Sequence, residues 1–289
     1  MGQPATAADF APGLGAGQDR MSMALVERYL RKWRLARDGC LLETRTSWLL
    51  PVRRLGKPAM LKMLKRSSDE QAAADLLHYF AGDGAVRLIA SDHDALLMER
   101  AENDVSLSAM AISGGDEQAA EILADCVRRL HAPRQSPTPN GLPPLRDWFR
   151  SLFARQSELP ILARCADVAR RLLADEHESI VLHGDLHHDN VLHAGRGWLA
   201  IDPKGLHGES TYEVANLLGN PWPHSELVHQ PDRMRRLAML YAERLNLDLA
   251  RVLGFALAHA GLSASWSIDD GCDPSYRLKC ASILDRLAR

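Results

Sequence analysis

His183-Gly184-Asp185-Leu186-His187-His188-Asp189-Asn190, then Val191-Leu192-His193, Gly195-Arg196-Gly197 and Trp198-Leu199-Ala200-Ile201-Asp202-Pro203-Lys204-Gly205, form the densest run of short strands and polar residues in the back half of the chain. Ile180-Val181-Leu182 reads as a strand that delivers the histidine- and acid-rich loop. Val191 to His193 continues as a second strand, the glycine pair around Arg196 turns the chain, and Trp198 to Ile201 returns. Asp185 and Asn190 are five positions apart across one loop, and Asp202 lies twelve beyond Asn190 at the end of the return strand. All three can therefore meet at the mouth of one hairpin.

Phosphoryl transfer calls for such a set. One carboxylate accepts the proton of the attacking hydroxyl, while a second carboxylate and an amide oxygen hold Mg²⁺ against a triphosphate. Asp185 suits the first role, and Asn190 with Asp202 the second. A polar hairpin whose Asp and Asn merely serve turns is the plain alternative. Gly184-Asp185-Leu186-His187 also matches the opening of a two-metal phosphoesterase site, but Gly219-Asn220-Pro221 lacks the histidine such a site would place there. His187 and His188 read as loop and phosphate-facing residues rather than zinc ligands. Neither G-x-x-x-x-G-K-[ST] nor a completed G-x-G-x-x-G is present, so no P-loop or dinucleotide fingerprint competes.

Ahead of the hairpin the texture divides in two. Cys40 to Glu43, Trp48 to Val52 and Ala59 to Met63 are short apolar runs around Leu55-Gly56-Lys57-Pro58, a strand meander. A helix is predicted from about Ser67 to Phe80, ended by Gly82-Asp83-Gly84, with two more strands at 86–90 and 95–98. After Glu99, helical spacing takes over: Ala119, Leu123, Val127 and Leu130 share one face, as do Leu162, Cys165, Ala169 and Leu172, and Met234, Leu237, Tyr241 and Leu245. Residues 249–265 are apolar enough for a buried helix. Residues 1–20, rich in Ala, Gly and Pro, read as a disordered tail. The expected plan is an α+β chain with a small β-rich lobe (21–99) and a larger helical lobe (100–289).

The 289 residues are 46% apolar and 25% charged with a net charge of −2, an ordinary globular balance. No run approaches the ~18 apolar residues of a membrane span, and the start shows no basic-then-apolar leader. Five scattered cysteines without a C-x-x-C pair fit a reducing cytoplasm. Charge is uneven: residues 31–66 hold eleven Lys/Arg against two acids, whereas 205–232 hold four acids and no Lys or Arg. A basic segment suits a polyphosphate or solvated faces as well as nucleic acid, and neither nucleic acid nor membrane is expected as a partner.

With these residues in place the chain resembles the kinase-like antibiotic phosphotransferases, and within them the streptomycin 6-phosphotransferase and aminoglycoside/hydroxyurea resistance kinases. His183 to Leu192 looks like their catalytic loop. Ala200-Ile201-Asp202-Pro203-Lys204-Gly205, Gly208-Glu209, Tyr212-Glu213, Ala215 to Leu218 and Asn220-Pro221 resemble the stretch that follows it, and Trp266 to Gly271 the C-terminal segment. The likeness spans about 38–289 and is densest over 181–222. It implies a protein-kinase-like two-lobed fold that binds ATP with Mg²⁺ in the cleft. Lys62 matches the lysine that touches the phosphates, Glu70 its ion-pair partner, and Glu99 and Ala101 the hinge whose backbone holds adenine; His187 is placed with the nucleotide. The Gly-rich loop of protein kinases is missing, leaving Thr44 to Ser47 to cover the phosphates, and Pro203 stands where those kinases carry Phe. The resemblance points to a small cationic antibiotic as acceptor, in a monomer or weak homodimer. Planar carboxylates suit the guanidinium groups of streptomycin, which makes Glu209, Glu213, Asp269 and Asp270 the candidate substrate contacts.

Overall fold

The computed structural model describes residues 16–44, 46–65, 71–101 and 105–289. Strands β1 (Leu35–Arg37), β2 (Leu42–Glu43), β3 (Ser47–Arg54), β4 (Lys57–Leu64), β5 (Leu88–Asp92) and β6 (Ala95–Glu99) form one antiparallel sheet in the order β1-β3-β4-β6-β5, with β2 beside β3. The β3–β4 hairpin turns on Leu55 and Gly56, both at positive φ, the backbone that a two-residue turn between twisted strands requires. Helices α1 (Ala16–Lys32) and α2 (Gln71–Phe80) flank the sheet.

Strand alternation decides what each face meets. Ala59, Leu61 and Met63 of β4 and Ala95 and Leu97 of β6 pack in one cluster with Val26 and Tyr29 of α1. Leu96 and Met98 face the other way and join Leu76, Leu77 and Phe80 of α2. Lys62 falls on this second face, turned towards the rest of the molecule, because its neighbours Leu61 and Met63 are committed to α1. The chain from Ala16 to residue 20 is helical, which corrects the reading of all of 1–20 as a tail: the apolar set Val26, Tyr29, Leu30 and Trp33 gives α1 a face that covers the sheet.

The helical half comprises α3 (Leu107–Met110), α4 (Asp116–Leu130), α5 (Leu145–Trp148), α6 (Arg150–Arg155), α7 (Pro160–Ala174), α8 (Ser225–Val228), α9 (Pro231–Leu245), α10 (Leu249–Asp269) and α11 (Ser275–Leu287). Nearly every residue of α10 from Val252 to Ser267 is buried, so it runs through the centre, against α7 and α11. Between α7 and α8 lie β7 (Ser179–Leu182), β8 (Val191–Ala194), β9 (Gly197–Ala200) and β10 (Leu206–Glu209), paired as β7–β10 and β8–β9. No helix among the described residues is long and apolar enough to cross a membrane.

Two long-range ties hold the frame. The β8–β9 turn sends Arg196 back to the sheet, where it grips the Glu99 carboxylate at 2.7 and 2.9 Å and donates to Ala85 O at 2.9 Å. Arg233 of α9 forms a two-point ion pair with Asp116 of α4 at 2.7 and 2.8 Å, both side chains buried, and also donates to Asn220 O. Asp116→Ala would strand a buried guanidinium, a loss of about 3 kcal/mol or more. The expected result is a clearly lower thermal midpoint in calorimetry, and an unchanged midpoint would contradict the assignment.

Candidate active site

The β8–β9 hairpin brings the three residues together. Ile201 N donates to Asn190 O at 2.9 Å, which extends the ladder one step past β8–β9 and places Asn190 beside Asp202. Asn190 Nδ2 donates to Asp185 O at 2.8 Å and lies 3.5 Å from Asp185 Oδ2, closing the loop on itself. The loop is held from behind by Glu213, a buried carboxylate that accepts from His183 N at 2.7 Å, Gly184 N at 3.0 Å and the His131 ring at 3.2 Å.

Asp202 sits at φ +56, in the left-handed region that Asp tolerates better than most residues. This turn out of β9 presents its carboxylate to two ammonium groups, Lys62 Nζ at 2.5 Å on Oδ1 and Lys204 Nζ at 2.9 Å on Oδ2. Burial works against the charge of Asp202, but the two lysines outweigh it and hold the carboxyl well below the usual range. Lys62 thus bridges from the sheet to the turn that leaves the β8–β9 hairpin.

Asp185 behaves in the opposite way. Burial pushes its carboxyl up to about 7, tempered by Lys204 and reinforced by Asp202. Asn216 Nδ2 lies 3.3 Å from Asp185 Oδ1. Asp185 lies in a cleft lined by Trp148, Gly184, Lys204, Asn216, His259, Ser263 and Trp266. Two neighbouring carboxylates with their proton affinities driven apart, one a base and one a fixed anion, are what acid–base chemistry at neutral pH needs.

The donor set fits Mg²⁺, which binds through one or two protein oxygens plus phosphate oxygens. With its Nδ2 committed to Asp185, the Asn190 side chain keeps Oδ1 as its acceptor, and the Ile201 N–H···O bond sets the Asn190 backbone one residue from Asp202 across the hairpin. No group of three or more His, Cys, Asp or Glu side chains among the described residues is placed to hold a metal ion.

Several sequence expectations need correction. Glu213 braces the loop at His183 and Gly184 and is not among the residues that line the cleft, and Glu209 is buried against Arg251 of α10, with Nε at 2.7 Å. Asp269 is bound by Arg155 at 2.7 Å and by Ser151. These three acids already have partners within the fold. Asp270 is exposed just past the end of α10, four residues beyond Trp266 of the cleft wall. His187 is 1% exposed, accepts from Asp189 N at 3.3 Å and is pushed down to about 3 by burial, then by Arg277. A buried neutral ring offers no charge to a phosphate, so the nucleotide role for His187 is withdrawn. The Glu99 side chain belongs to Arg196, and its N–H donates to Arg87 O at 2.8 Å. Glu70 and Arg45 lie outside the described residues. Sequence reasoning missed Lys204, Asn216 and His259, each supplied to the cleft by a different element.

Residues 32–271 match the profile of the Aminoglycoside/hydroxyurea antibiotic resistance kinase family. The chain belongs to this family. It is 48% identical over 246 residues to a streptomycin 3''-kinase of Klebsiella pneumoniae, covering 84% of this chain and 92% of that protein. Against a streptomycin 6-kinase of Streptomyces griseus the identity is 34% over 262 residues, covering 86% and 83%. Among solved structures, an aminoglycoside phosphotransferase in ternary complex with AMP-PNP and hygromycin B superposes with a TM-score of 0.68 at 18% identity, covering 91% of this chain and 98% of that one. That likeness shows the fold, the two-lobed kinase-like architecture expected from the sequence. The chain is thus a phosphotransferase with an alcohol group as acceptor.

Proposed function

We propose that the chain transfers the γ-phosphoryl group of ATP to a hydroxyl of streptomycin, with Asp185 taking the hydroxyl proton. The observation that carries this reading is a buried, proton-avid carboxylate in a cleft walled by Trp148 and Trp266, beside an Asp202 clamped by two lysines. Indole faces suit the flat guanidinium groups of streptomycin. Asp270, exposed four residues beyond Trp266, is the acidic contact carried forward.

In the reaction the acceptor oxygen bonds to the γ-phosphorus, the bond from that phosphorus to the bridging β–γ oxygen breaks, and its electron pair leaves with ADP. Asp185 accepts the hydroxyl proton and later releases it to solvent. Asn216 and the Asn190 amide fix the carboxylate so that one oxygen faces the acceptor. Lys62 and Lys204 orient Asp202 and offer positive charge where phosphate oxygens would lie. Mg²⁺, held by Asn190 Oδ1 and Asp202, would supply neutralisation of the triphosphate oxygens. Ala101, in the hinge segment beyond Glu99, is the adenine contact we carry forward, and the setting is read as cytoplasmic.

The relative with 48% identity acts at the 3'' position and the one with 34% at the 6 position, which favours the 3''-hydroxyl over the 6-hydroxyl that the sequence resemblance implied. The test compares kcat/KM for streptomycin and hydroxyurea and assigns the product by phosphorus–proton NMR. A 3''-phosphate formed in preference to any hydroxyurea product supports the reading; phosphorylated hydroxyurea with untouched streptomycin overturns it.

The raised proton affinity of Asp185 sets the pH profile. The carboxylate is the active form, so kcat/KM should fall about tenfold per pH unit below pH ~7 rather than below the pH ~4 of an ordinary Asp. Rates from pH 4 to 9 decide this, and a rate that stays flat down to about pH 5 would contradict it.

A further inference from the structure

We infer that His259 is the hydrogen-bond donor with which the cleft reads an oxygen of the bound antibiotic. The inference rests on the function proposed above and names a specificity determinant within that site.

A chain of buried polar groups carries it. The indole Nε1–H of Trp148 can only donate, and it donates to Tyr212 Oη at 2.9 Å. Tyr212 Oη lies 2.8 Å from His259 Nδ1. Tyr212 is 3% exposed, so leaving its own proton without an acceptor would be costly. The tyrosine proton therefore points to Nδ1, and Nδ1 is an acceptor. In a neutral imidazole the other nitrogen then bears the hydrogen. His259 is neutral: burial first, then Arg277 and His187, push it down to about 3. The ring is 6% exposed, yet Nε2 has no hydrogen-bond partner among the described residues. A buried N–H donor without an acceptor is not left so in a folded protein unless something else fills the place.

The position identifies what fills it. His259, Ser263 and Trp266 follow one another at helical spacing on α10 and all line the cleft that holds Asp185. The ring packs between Tyr212, centroids 5.7 Å apart, and Trp266, 6.1 Å. The chemistry also suits a cationic sugar. A protonated histidine would repel guanidinium groups, whereas a tautomer fixed by Tyr212 offers a donor without charge. Its complement is a hydroxyl, carbonyl or ring oxygen of the acceptor. His259 also borders a small second cavity with Asn216, Gly219 and Arg277, where a water could take the same N–H. The experiment separates these two occupants.

Three variants, with wild type measured first, form the test. Glutamine carries an amide N–H close to the position of histidine Nε2, asparagine carries one close to Nδ1, and phenylalanine fills the space with no donor. His259→Phe and His259→Asn should raise KM for streptomycin about 10- to 100-fold, with KM for ATP within about twofold. His259→Gln should recover most of the loss. Nitrogen NMR of labelled histidine in the wild type should show the Nε2–H tautomer for His259. Unchanged streptomycin KM in folded His259→Phe, which is the result expected if only a water is held, would overturn the inference, as would the Nδ1–H tautomer or asparagine rescuing as well as glutamine. Wild type that fails to phosphorylate streptomycin would strike the proposed function itself and this inference with it, and is seen before any substitution is made.

Discussion

Replacing Asp185 by alanine is expected to lower kcat about 10²- to 10⁴-fold, the usual contribution of a positioned base, while the Kd for MgATP changes little. The split follows from geometry. Asp185 lines the cleft with Trp148 and Trp266, whereas both oxygens of Asp202 are held by Lys62 and Lys204. The variant also makes a prediction about stability that separates loss of chemistry from loss of fold. The folded-state proton affinity of Asp185 is raised, from 3.8 to about 7. Its contribution to stability is therefore present at low pH and is lost as pH rises towards 7, because the folded chain must bury a charge that the unfolded chain exposes to water. At pH 8 Asp185→Ala should melt no lower than wild type, so an inactive variant with an intact melting curve is the expected pairing. Near-normal kcat in this variant would remove Asp185 from the role of base.

Asp202→Ala should have a different signature. Removing this carboxylate leaves two ammonium groups, from Lys62 and Lys204, facing one another with their shared counter-ion gone, and it removes one of the two oxygen sources proposed for Mg²⁺. Nucleotide binding should then weaken together with turnover: about tenfold or more in MgATP affinity by calorimetry, and a kcat loss of about 10²-fold or more. Restoring Mg²⁺ to high concentration should recover affinity only in part, because the lysines still repel the cation. MgATP affinity equal to wild type would show that Asp202 is not a metal ligand.

The hairpin was legible because its information is local. Strand alternation, the Gly195-Arg196-Gly197 turn and the spacing of Asp185, Asn190 and Asp202 all act within about two dozen residues, and the pairing of Val191 with Ala200 carries them into place. The same holds for β3, β4 and the helix faces of α4, α7 and α9. Lys62 was also within reach, through the resemblance to the family's lysine and the apolar residues Met60, Leu61, Met63 and Leu64 that mark its strand.

What sequence could not give was the ownership of charges. Glu209 and Glu213 look like a base-free acidic surface along the chain, yet Arg251 lies 42 positions away from the first and His131 82 positions from the second. Each is engaged by an element that only the packed fold brings near. Asp269 is claimed in the same manner by Arg155, 114 positions earlier. The cleft residues missed from sequence share this origin: Asn216 follows the short helical turn after β10, and His259 lies within α10, whose nearly unbroken apolar run made it read as plain core. Helix α1 was overlooked for another reason. Its apolar residues are few and adjoin the Ala/Gly/Pro-rich start, and only the sheet beneath them gives Val26 and Tyr29 something to bury against.

The most direct test of the central claim is release of ADP by the purified chain with MgATP, with and without streptomycin, followed by mass spectrometry of the drug. A streptomycin-dependent rate, a drug heavier by one phosphoryl group, and loss of both in Asp185→Ala are the predicted results. ADP release that is indifferent to streptomycin, with the drug recovered unmodified, would contradict it.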